Sequence, residues 1–132
     1  MKREILFRAR PLDVLSFGKW VQGSLIDMRP INGQNAGVFI LTEQGKIEVN
    51  SETVGQFTGL TTKNGVNIFE GDIVKFIDVN STPIPFSESV NEVFWWNAYS
   101  CFSLKKTRSD LTFITIDGME VISNIHDNPE LL

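Results

Sequence analysis

Short runs of β-branched and aromatic residues, separated by glycines, are the feature that most restricts how this chain can fold. The runs are rich in Val, Ile, Phe, Thr and Trp, and 10 glycines divide the 132 residues. Apolar residues hardly ever recur over a long stretch at the three- and four-residue spacing of an amphipathic helix. The pattern is typical of strands joined by tight turns, and it predicts a mainly β protein.

The N-terminal part of the chain carries the first group of candidate strands. Pro11 ends the first of them because proline has no N–H for a ladder, and the segment 29–36 is rich in turn residues. The Glu43-Gln-Gly-Lys46 turn predicts an antiparallel hairpin between Val38 to Leu41 and Ile47 to Val49. The predicted extended segments are Glu4 to Arg10, Lys19 to Met28, Gly37 to Thr42, Ile47 to Val49 and Thr53 to Phe57.

The C-terminal part contains five more candidate strands, separated mostly by short turns. Pro83 and Pro85 mark Asn80 to Ser89 as a loop, and Asp117-Gly118 is a dipeptide typical of hairpins. The predicted strands are Ile73 to Val79, Val90 to Trp96, Cys101 to Lys106, Leu111 to Ile116 and Met119 to Ile125. Five strands in this arrangement fit a small SH3-like barrel.

The two groups of strands predict two small β-rich lobes, an N-terminal lobe over residues 1–58 and a C-terminal SH3-like barrel lobe over residues 59–132. A lobe of this size buries little apolar surface and is marginally stable alone. We therefore expect the lobes to pack on each other or on neighbouring subunits, and we expect a homo-oligomer.

Two glycine turns lie in the central block of the chain. Asn64-Gly65 is the dipeptide that most readily supplies two consecutive positive φ angles, and Gly71-Asp72 forms a reversal directly before a strand. We interpret Asn64, Gly65, Gly71 and Asp72 as structural turn residues. Alternatively, Glu70 and Asp72 could hold a divalent cation or share a proton, because these two carboxylates flank one glycine.

Composition limits the chemistry that is available to the chain. One Cys and one His cannot form an internal disulfide or a four-ligand structural zinc site, and the sequence has no Gly-rich phosphate loop or Ser-centred nucleophile elbow. Arg8 interrupts the first apolar residues long before they reach the length of a signal peptide or membrane span. We expect a cytoplasmic protein with no cofactor, no metal and no membrane partner.

Cys101 and His126 are the residues from which a nucleophile and a base could be built, since a neighbouring imidazole favours the thiolate. Nothing in their spacing places them together. The alternative for Cys101 is a small, half-buried side chain within a strand. No catalytic residue is therefore assigned, and the sequence favours a protein that is not an enzyme.

Trp95 and Trp96 are adjacent on a predicted strand, so their side chains point to opposite faces. Both cannot face the same core, and we expect one of them at a surface. An exposed Trp can anchor a protein partner or stack on a nucleobase. The alternative is that the second Trp is covered by the loop from Asn80 to Asn91 or by the other lobe.

Two groups of basic residues could contact phosphates. Arg8 and Arg10 share one face of the first strand, and Lys105, Lys106 and Arg108 lie near a hairpin end. The formal net charge of −4 opposes nucleic-acid binding by the chain as a whole. Lys and Arg also protect exposed strand edges from pairing, so partner contact and edge protection both stay open.

A longer pattern runs through the chain. It consists of Arg3-Glu-Ile-Leu-Phe-Arg8, Gly18-Lys-Trp-Val-Gln-Gly-Ser-Leu-Ile26, Thr53-Val-Gly-Gln-Phe-Thr-Gly-Leu60, Lys63-Asn-Gly65, Ile68-Phe-Glu-Gly-Asp-Ile-Val74 and Asn124-Ile-His-Asp-Asn-Pro-Glu-Leu-Leu132. In its order and spacing this pattern resembles the YopX family over essentially the whole chain. The chain departs from the family pattern at Thr62, where Asp is usual.

The resemblance implies a small, β-rich intracellular protein encoded by a bacteriophage or prophage, and it implies no established biochemical activity. Our first hypothesis is a non-enzymatic interaction or assembly module that acts on an unknown protein partner through its Trp-bearing face. The second hypothesis is a nucleic-acid-associated regulator that contacts phosphates through one of the basic clusters.

Overall fold

The computed structural model describes residues 3–13, 18–28, 37–107, 109–111 and 118–132. Regular structure in these ranges consists of β-strands and two short 3₁₀ helices, Ser51–Thr53 and Pro129–Leu131. The prediction of a mainly β protein is confirmed. The chain divides into two compact units, Met1–Phe57 (unit 1) and Thr58–Leu132 (unit 2).

The strands are short and are joined by turns, as the glycine-separated runs predict. β5 spans the boundary between the units, because Gly55 and Gln56 pair with β1 in unit 1, whereas the residues of this strand from Thr58 onward belong to unit 2. The strands are β1 (Phe7–Ala9), β2 (Val21–Met28), β3 (Gly37–Thr42), β4 (Gly45–Glu48), β5 (Gly55–Thr61), β6 (Asn67–Phe69), β7 (Asp72–Asp78), β8 (Ser87–Trp96), β9 (Cys101–Leu104), β10 (Ser109–Asp110) and β11 (Glu120–Asn124).

Unit 1 is built on antiparallel pairs in the order β4-β3-β2-β1, with β5 beside β1. The predicted hairpin around Glu43-Gln-Gly-Lys46 is confirmed, since Ile40 of β3 lies opposite Ile47 of β4. Alternate residues of the strands face one core. Its fully buried members are Ala9, Ile40 and Val49, and Phe7, Val21, Leu25, Val38, Ile47 and Val54 pack against them.

At Gly23 on β2 the backbone of β3 leaves no room for a side chain. A Cβ at this position would stand 2.0 Å from the carbonyl oxygen of Leu41 on β3. The neighbouring Ser24 is paired directly with Leu41, so the ladder holds the two backbones at this separation. Only a residue without a side chain fits, which explains the glycine within an otherwise regular strand.

Unit 2 carries an antiparallel sheet in the order β10-β9-β8-β7-β11. β7 and β8 pair along most of their lengths, with Val74 opposite Asn91. Each fully buried apolar side chain of the core contributes roughly 1.5–3 kcal/mol to stability. The core comprises Ile68, Val74, Phe76, Val93, Leu104, Leu111 and Met119.

The prediction of an SH3-like barrel in unit 2 is not confirmed. In the ranges that the structure describes, this sheet is open, and β10 and β11 are its edge strands. A barrel requires the first and last strands to pair, and no such pairing occurs among these residues. The predicted strand Leu111 to Ile116 lies outside the described residues except at Leu111. The turn 29–36, Arg108 and Asp117 of the predicted hairpin lie outside them as well.

Candidate functional site

The hairpin formed by β8 and β9 carries a concentration of aromatic side chains. Between Val93 and Leu104 the chain contains no charged residue, although the protein as a whole has 12 Lys+Arg and 16 Asp+Glu and a formal net charge of −4.

 We define the aromatic tip as Phe94, Trp95, Trp96, Tyr99 and Phe102. These five aromatic side chains lie within a stretch of 12 residues, Val93 to Leu104, that carries no charge.

The backbone of the hairpin fixes where these rings lie. Trp95 stands opposite Phe102, and Trp96 stands opposite Cys101. Four turn residues, Asn97 to Ser100, connect the strands. The Tyr99 N–H donates to the Trp96 carbonyl oxygen at 3.1 Å, and Ser100 takes the left-handed conformation at φ 50°. The tight connection holds Tyr99 beside the ends of both strands.

The two tryptophans face opposite sides of the sheet, as their adjacency requires. Trp95 shares a face with Val93, which is fully buried in the core, but Trp95 itself is 41% exposed. Its ring meets Phe102 edge to face, with centroids 5.0 Å apart. Trp95 therefore extends the apolar face of the core to the surface.

Trp96 is half-buried on the other face of the hairpin. Its ring centroid lies 4.4 Å from that of Tyr99 and 6.1 Å from that of Phe94. Tyr99 is 67% exposed. Sequence reasoning did not assign Tyr99 or Phe102 to a site, although the uncharged, aromatic stretch around the two tryptophans was a signal that could have found them.

Exposed large hydrophobic side chains are concentrated in unit 2. Among the described residues, unit 1 exposes three of them and unit 2 exposes ten, including every exposed aromatic ring of this set. The connection between β7 and β8 contains three of the ten, namely Val79, Ile84 and Phe86. Single exposed apolar residues are ordinary, but a concentration of them is typical of an interaction surface.

Arg8 and Arg10 lie together in unit 1, as their two-residue spacing predicts. Both are half-buried, and both guanidinium groups lie over the Trp20 ring, with their central carbons 4.9 and 5.2 Å from its centroid. Sequence reasoning did not link Trp20 to these arginines. The link depends on the register of β1 against β2, which the residue pattern alone does not determine.

The structure describes two of the three residues of the second basic group, Lys105 and Lys106. The Lys105 ammonium lies 3.6 Å from a carboxylate oxygen of Glu92, and both residues belong to unit 2. The Lys106 N–H donates to Asn91 Oδ1 at 2.7 Å. Lys105 and Lys106 are exposed, and Arg108 lies outside the described residues. For these two lysines, protection of a strand end stays open as the alternative to phosphate contact.

The turn at Gly71 is buried and its carboxylate is engaged locally. Asp72 is 1% exposed, and its Oδ2 accepts a 2.7 Å hydrogen bond from the Phe69 N–H. Gly71 has φ 89°, and its N–H donates to the Val93 carbonyl oxygen. Asp72 thus accepts a backbone hydrogen bond within the turn, and its interpretation as a structural turn residue stays a prediction. A role in metal or proton chemistry would require the carboxylate to leave its turn.

The Asn64-Gly65 turn differs from the two positive φ angles expected of it. Gly65 has φ 82°, whereas among the described non-glycine residues only Phe86 and Ser100 have positive φ. The Gly65 N–H donates to the Thr62 carbonyl oxygen, and Thr62 N–H donates to that of Val66. This is a type I turn followed by a left-handed glycine, so one residue supplies the unusual angle.

The remaining predicted pair, Cys101 and His126, lies on separate elements. Cys101 Sγ is 3.3 Å from Ser103 Oγ on β9. His126 follows β11, and its Nε2 would lie 3.8 Å from a Cβ at Gly71. These placements give a nucleophile and base pair no support. No group of three metal-ligating His, Cys, Asp or Glu residues occurs in the described part of the chain.

Among the residues placed by the structure, no helix has the length and apolar character needed to cross a membrane.

Comparisons with known proteins identify a family. The model of the YopX protein family matches residues 16–132. The fold is similar to a crystal structure of protein EF1440 from Enterococcus faecalis, with a TM-score of 0.57 and 25% sequence identity over 99% of each chain. A search of curated proteins found no match. Because the family model covers nearly the whole chain, this protein belongs to the YopX family.

Proposed function

We propose that this protein is a non-enzymatic assembly module of phage or prophage origin, and that its first partner is a second copy of the same chain. The observation that carries the proposal is the exposure of Trp95, whose ring extends the core face of unit 2 to the surface beside Phe102. The bacterial cytoplasm is the compartment in which we expect the assembly to form.

The aromatic tip has the composition of a binding hot spot. Trp and Tyr are enriched among the few residues that dominate interface energies, because each buries a large, rigid surface and also offers a polar atom. Trp95 and Tyr99 supply such surface at the end of a paired hairpin. Little side-chain freedom is lost when rings that already pack on Phe102 and Trp96 become covered.

The charge distribution favours a second copy as the partner. Two acidic chains with a formal charge of −4 repel each other, so contact is least costly where charges are absent. The uncharged stretch from Val93 to Leu104 provides such a place. A two-fold axis beside the tip would bring the same rings of two copies together in a self-complementary interface.

Site-specific photo-crosslinking tests this proposal. Benzoylphenylalanine is introduced in place of Tyr99, which is exposed in the turn, and in place of Leu41 in a matched control. We expect crosslinked dimers from position 99, with crosslinked peptides that contain residues of the aromatic tip. Dimers formed equally from position 41, or no dimers from position 99, would contradict the proposal.

A further inference from the structure

We propose that this chain has a second interface with copies of itself, at the end of β8 opposite the aromatic tip. The interface is the loop surface, which we define as Ile77, Val79, Ile84 and Phe86. Each of these residues is more than half exposed, and all four belong to unit 2. The contact at the loop surface does not need the aromatic tip, whereas growth beyond a dimer rests on the tip contact proposed above.

β8 separates the loop surface from the aromatic tip. Phe86 precedes Ser87, the first residue of the strand, whereas Trp95 and Trp96 are its last two residues. A strand of 10 residues is about 33 Å long. The two groups of exposed side chains are therefore separate surfaces of unit 2.

Hydrogen bonds hold the connection that carries most of the loop surface. The Asn80 N–H donates to Asp78 Oδ1 at 2.9 Å, and the Ser87 hydroxyl donates to Ser81 Oγ at 2.6 Å. The chain contains no charged residue from Val79 to Ser87. A surface that is ordered before it binds loses less conformational entropy when it is covered, and a surface without charges is less costly to remove from water.

A cavity of about 750 Å³ opens beside the loop surface and carries one charge of each sign. Its lining includes Ile77 and Val79 of the loop surface, together with Asp78 and Lys106. The salt bridges formed by the described residues of unit 2 include neither Asp78 nor Lys106. Both charges are therefore available for an ion pair with a partner, since the bond from Asn80 uses only Oδ1 of Asp78.

One charge of each sign makes a second copy of this chain the partner that fits. In an isologous contact, the same patch of both copies meets about a two-fold axis, so every contact occurs twice. Lys106 of one copy then faces Asp78 of the other, the reciprocal pair forms at the same time, and the apolar side chains of the loop surface cover each other. A purely acidic or purely basic surface would instead bring like charges together.

The contact at the loop surface should be the weaker of the two. The loop surface contains neither Trp nor Tyr, which are the residues most enriched where interface energy is concentrated. As the protein concentration rises, dimers joined at their aromatic tips should therefore form first. Contacts at the loop surface should then join these dimers into larger species.

Charge reversal in the Trp95→Ser background tests the loop surface by itself. Asp78→Lys and Lys106→Asp each place like charges opposite one another, and each should raise the dimer dissociation constant about tenfold in sedimentation velocity. The variant with both changes should restore it, because the pairs form again with reversed signs. Glu43→Lys, in the exposed turn of unit 1, makes the same charge change as Asp78→Lys and should not raise the dissociation constant. Circular dichroism establishes that each variant is folded.

Ile84→Ser provides a second test, because it removes apolar surface without changing a charge. It should stop assembly of the unmodified chain at the dimer, and in the Trp95→Ser background it should leave only monomers. Dimers that Ile84→Ser dissociates and Trp95→Ser leaves unchanged would contradict the tip contact and support the loop surface. The loop interface is overturned if Trp95→Ser is a strict monomer at every concentration, or if its dimer is unaffected by the charge reversals and by Ile84→Ser, which is also the result expected if this surface binds a different partner.

Discussion

Trp20 in unit 1 and Trp95 in unit 2 differ in the side chains that they contact. In unit 1, Trp20 is half-buried beneath two guanidinium groups of its own chain. In unit 2, Trp95 meets the ring of Phe102 and remains 41% exposed. The side chains on neighbouring strands therefore determine whether a tryptophan packs against cationic groups or presents an apolar surface to a partner.

The units also differ in how their strands are held. Unit 1 centres on three fully buried side chains and contains a backbone approach that requires Gly23. Unit 2 centres on seven buried side chains and on the buried turn at Asp72. Single changes that test this difference should therefore act on the backbone in unit 1 and on a polar bond in unit 2.

The largest effect is expected from Gly23→Ala in unit 1. The added Cβ would overlap the Leu41 carbonyl oxygen, so the paired strands must separate, and we expect a loss of about 3 kcal/mol or more in unfolding free energy. Urea unfolding measures the loss. Gly65→Ala is the control, because its positive φ costs about 1 kcal/mol but its side chain meets open space. Equal losses would contradict this view of Gly23.

Asp72→Ala in unit 2 should have the next largest effect. It leaves the buried Phe69 N–H without its acceptor, and we expect a loss of about 2–3 kcal/mol in urea unfolding. Asp72→Asn should lose less, because the amide oxygen can still accept. Asp78→Ala removes an acceptor for the exposed Asn80 N–H and should cost below about 1 kcal/mol. A full loss of an enzymatic activity in a stable Asp72→Asn variant would instead favour chemistry at this turn.

Two double-mutant cycles compare the tryptophan contacts directly. We expect a coupling of about 0.5–1 kcal/mol between Trp20 and Arg8 from the cation–π contact. The edge-to-face contact of Trp95 with Phe102 should give about 0.5–1.5 kcal/mol. Trp20 and Lys46 serve as the control pair, because Lys46 lies over Phe39 instead. Couplings near zero for both test pairs would contradict the view that these two contacts distinguish the tryptophans of the two units.

The smallest effect is expected at the C-terminal 3₁₀ helix. The Asn128 side-chain amide donates to Glu130 Oε1, which lowers the pKa of that carboxyl, and a backbone hydrogen bond adds to the effect. The bond therefore stabilises the folded state above the ordinary pKa of Glu and is lost as the pH falls through the lowered value. An NMR titration should show the pKa of Glu130 rise towards its ordinary value in Asn128→Ala. An unchanged pKa would contradict the assignment.

Local turn chemistry made part of the fold predictable. The Glu43-Gln-Gly-Lys46 turn was enough to predict the β3–β4 hairpin, because a short connection fixes which strands pair. The SH3-like barrel could not be established in the same way, since closure depends on pairing between strands distant in sequence. Gly23 looked like an ordinary glycine, because its constraint comes from Leu41 on another strand.

The candidate sites were predictable to a similar extent. The alternation of side chains along a strand placed Trp95 and Trp96 on opposite faces, but it did not show which of the two lies on the face that covers the core. Arg8 and Arg10 were placed on one face by the same rule. Trp20 was missed because it meets them through the register of β1 and β2, which is a tertiary property.

Sedimentation velocity over a range of protein concentrations tests the proposed assembly most directly. We expect a reversible dimer whose dissociation constant rises about tenfold or more in Trp95→Ser and in Tyr99→Ser, while Leu41→Ser, an exposed change in unit 1, behaves as the unmodified chain. Circular dichroism confirms that the variants are folded. A strict monomer at every concentration, or a dimer that both variants in the aromatic tip leave unchanged, would contradict the account.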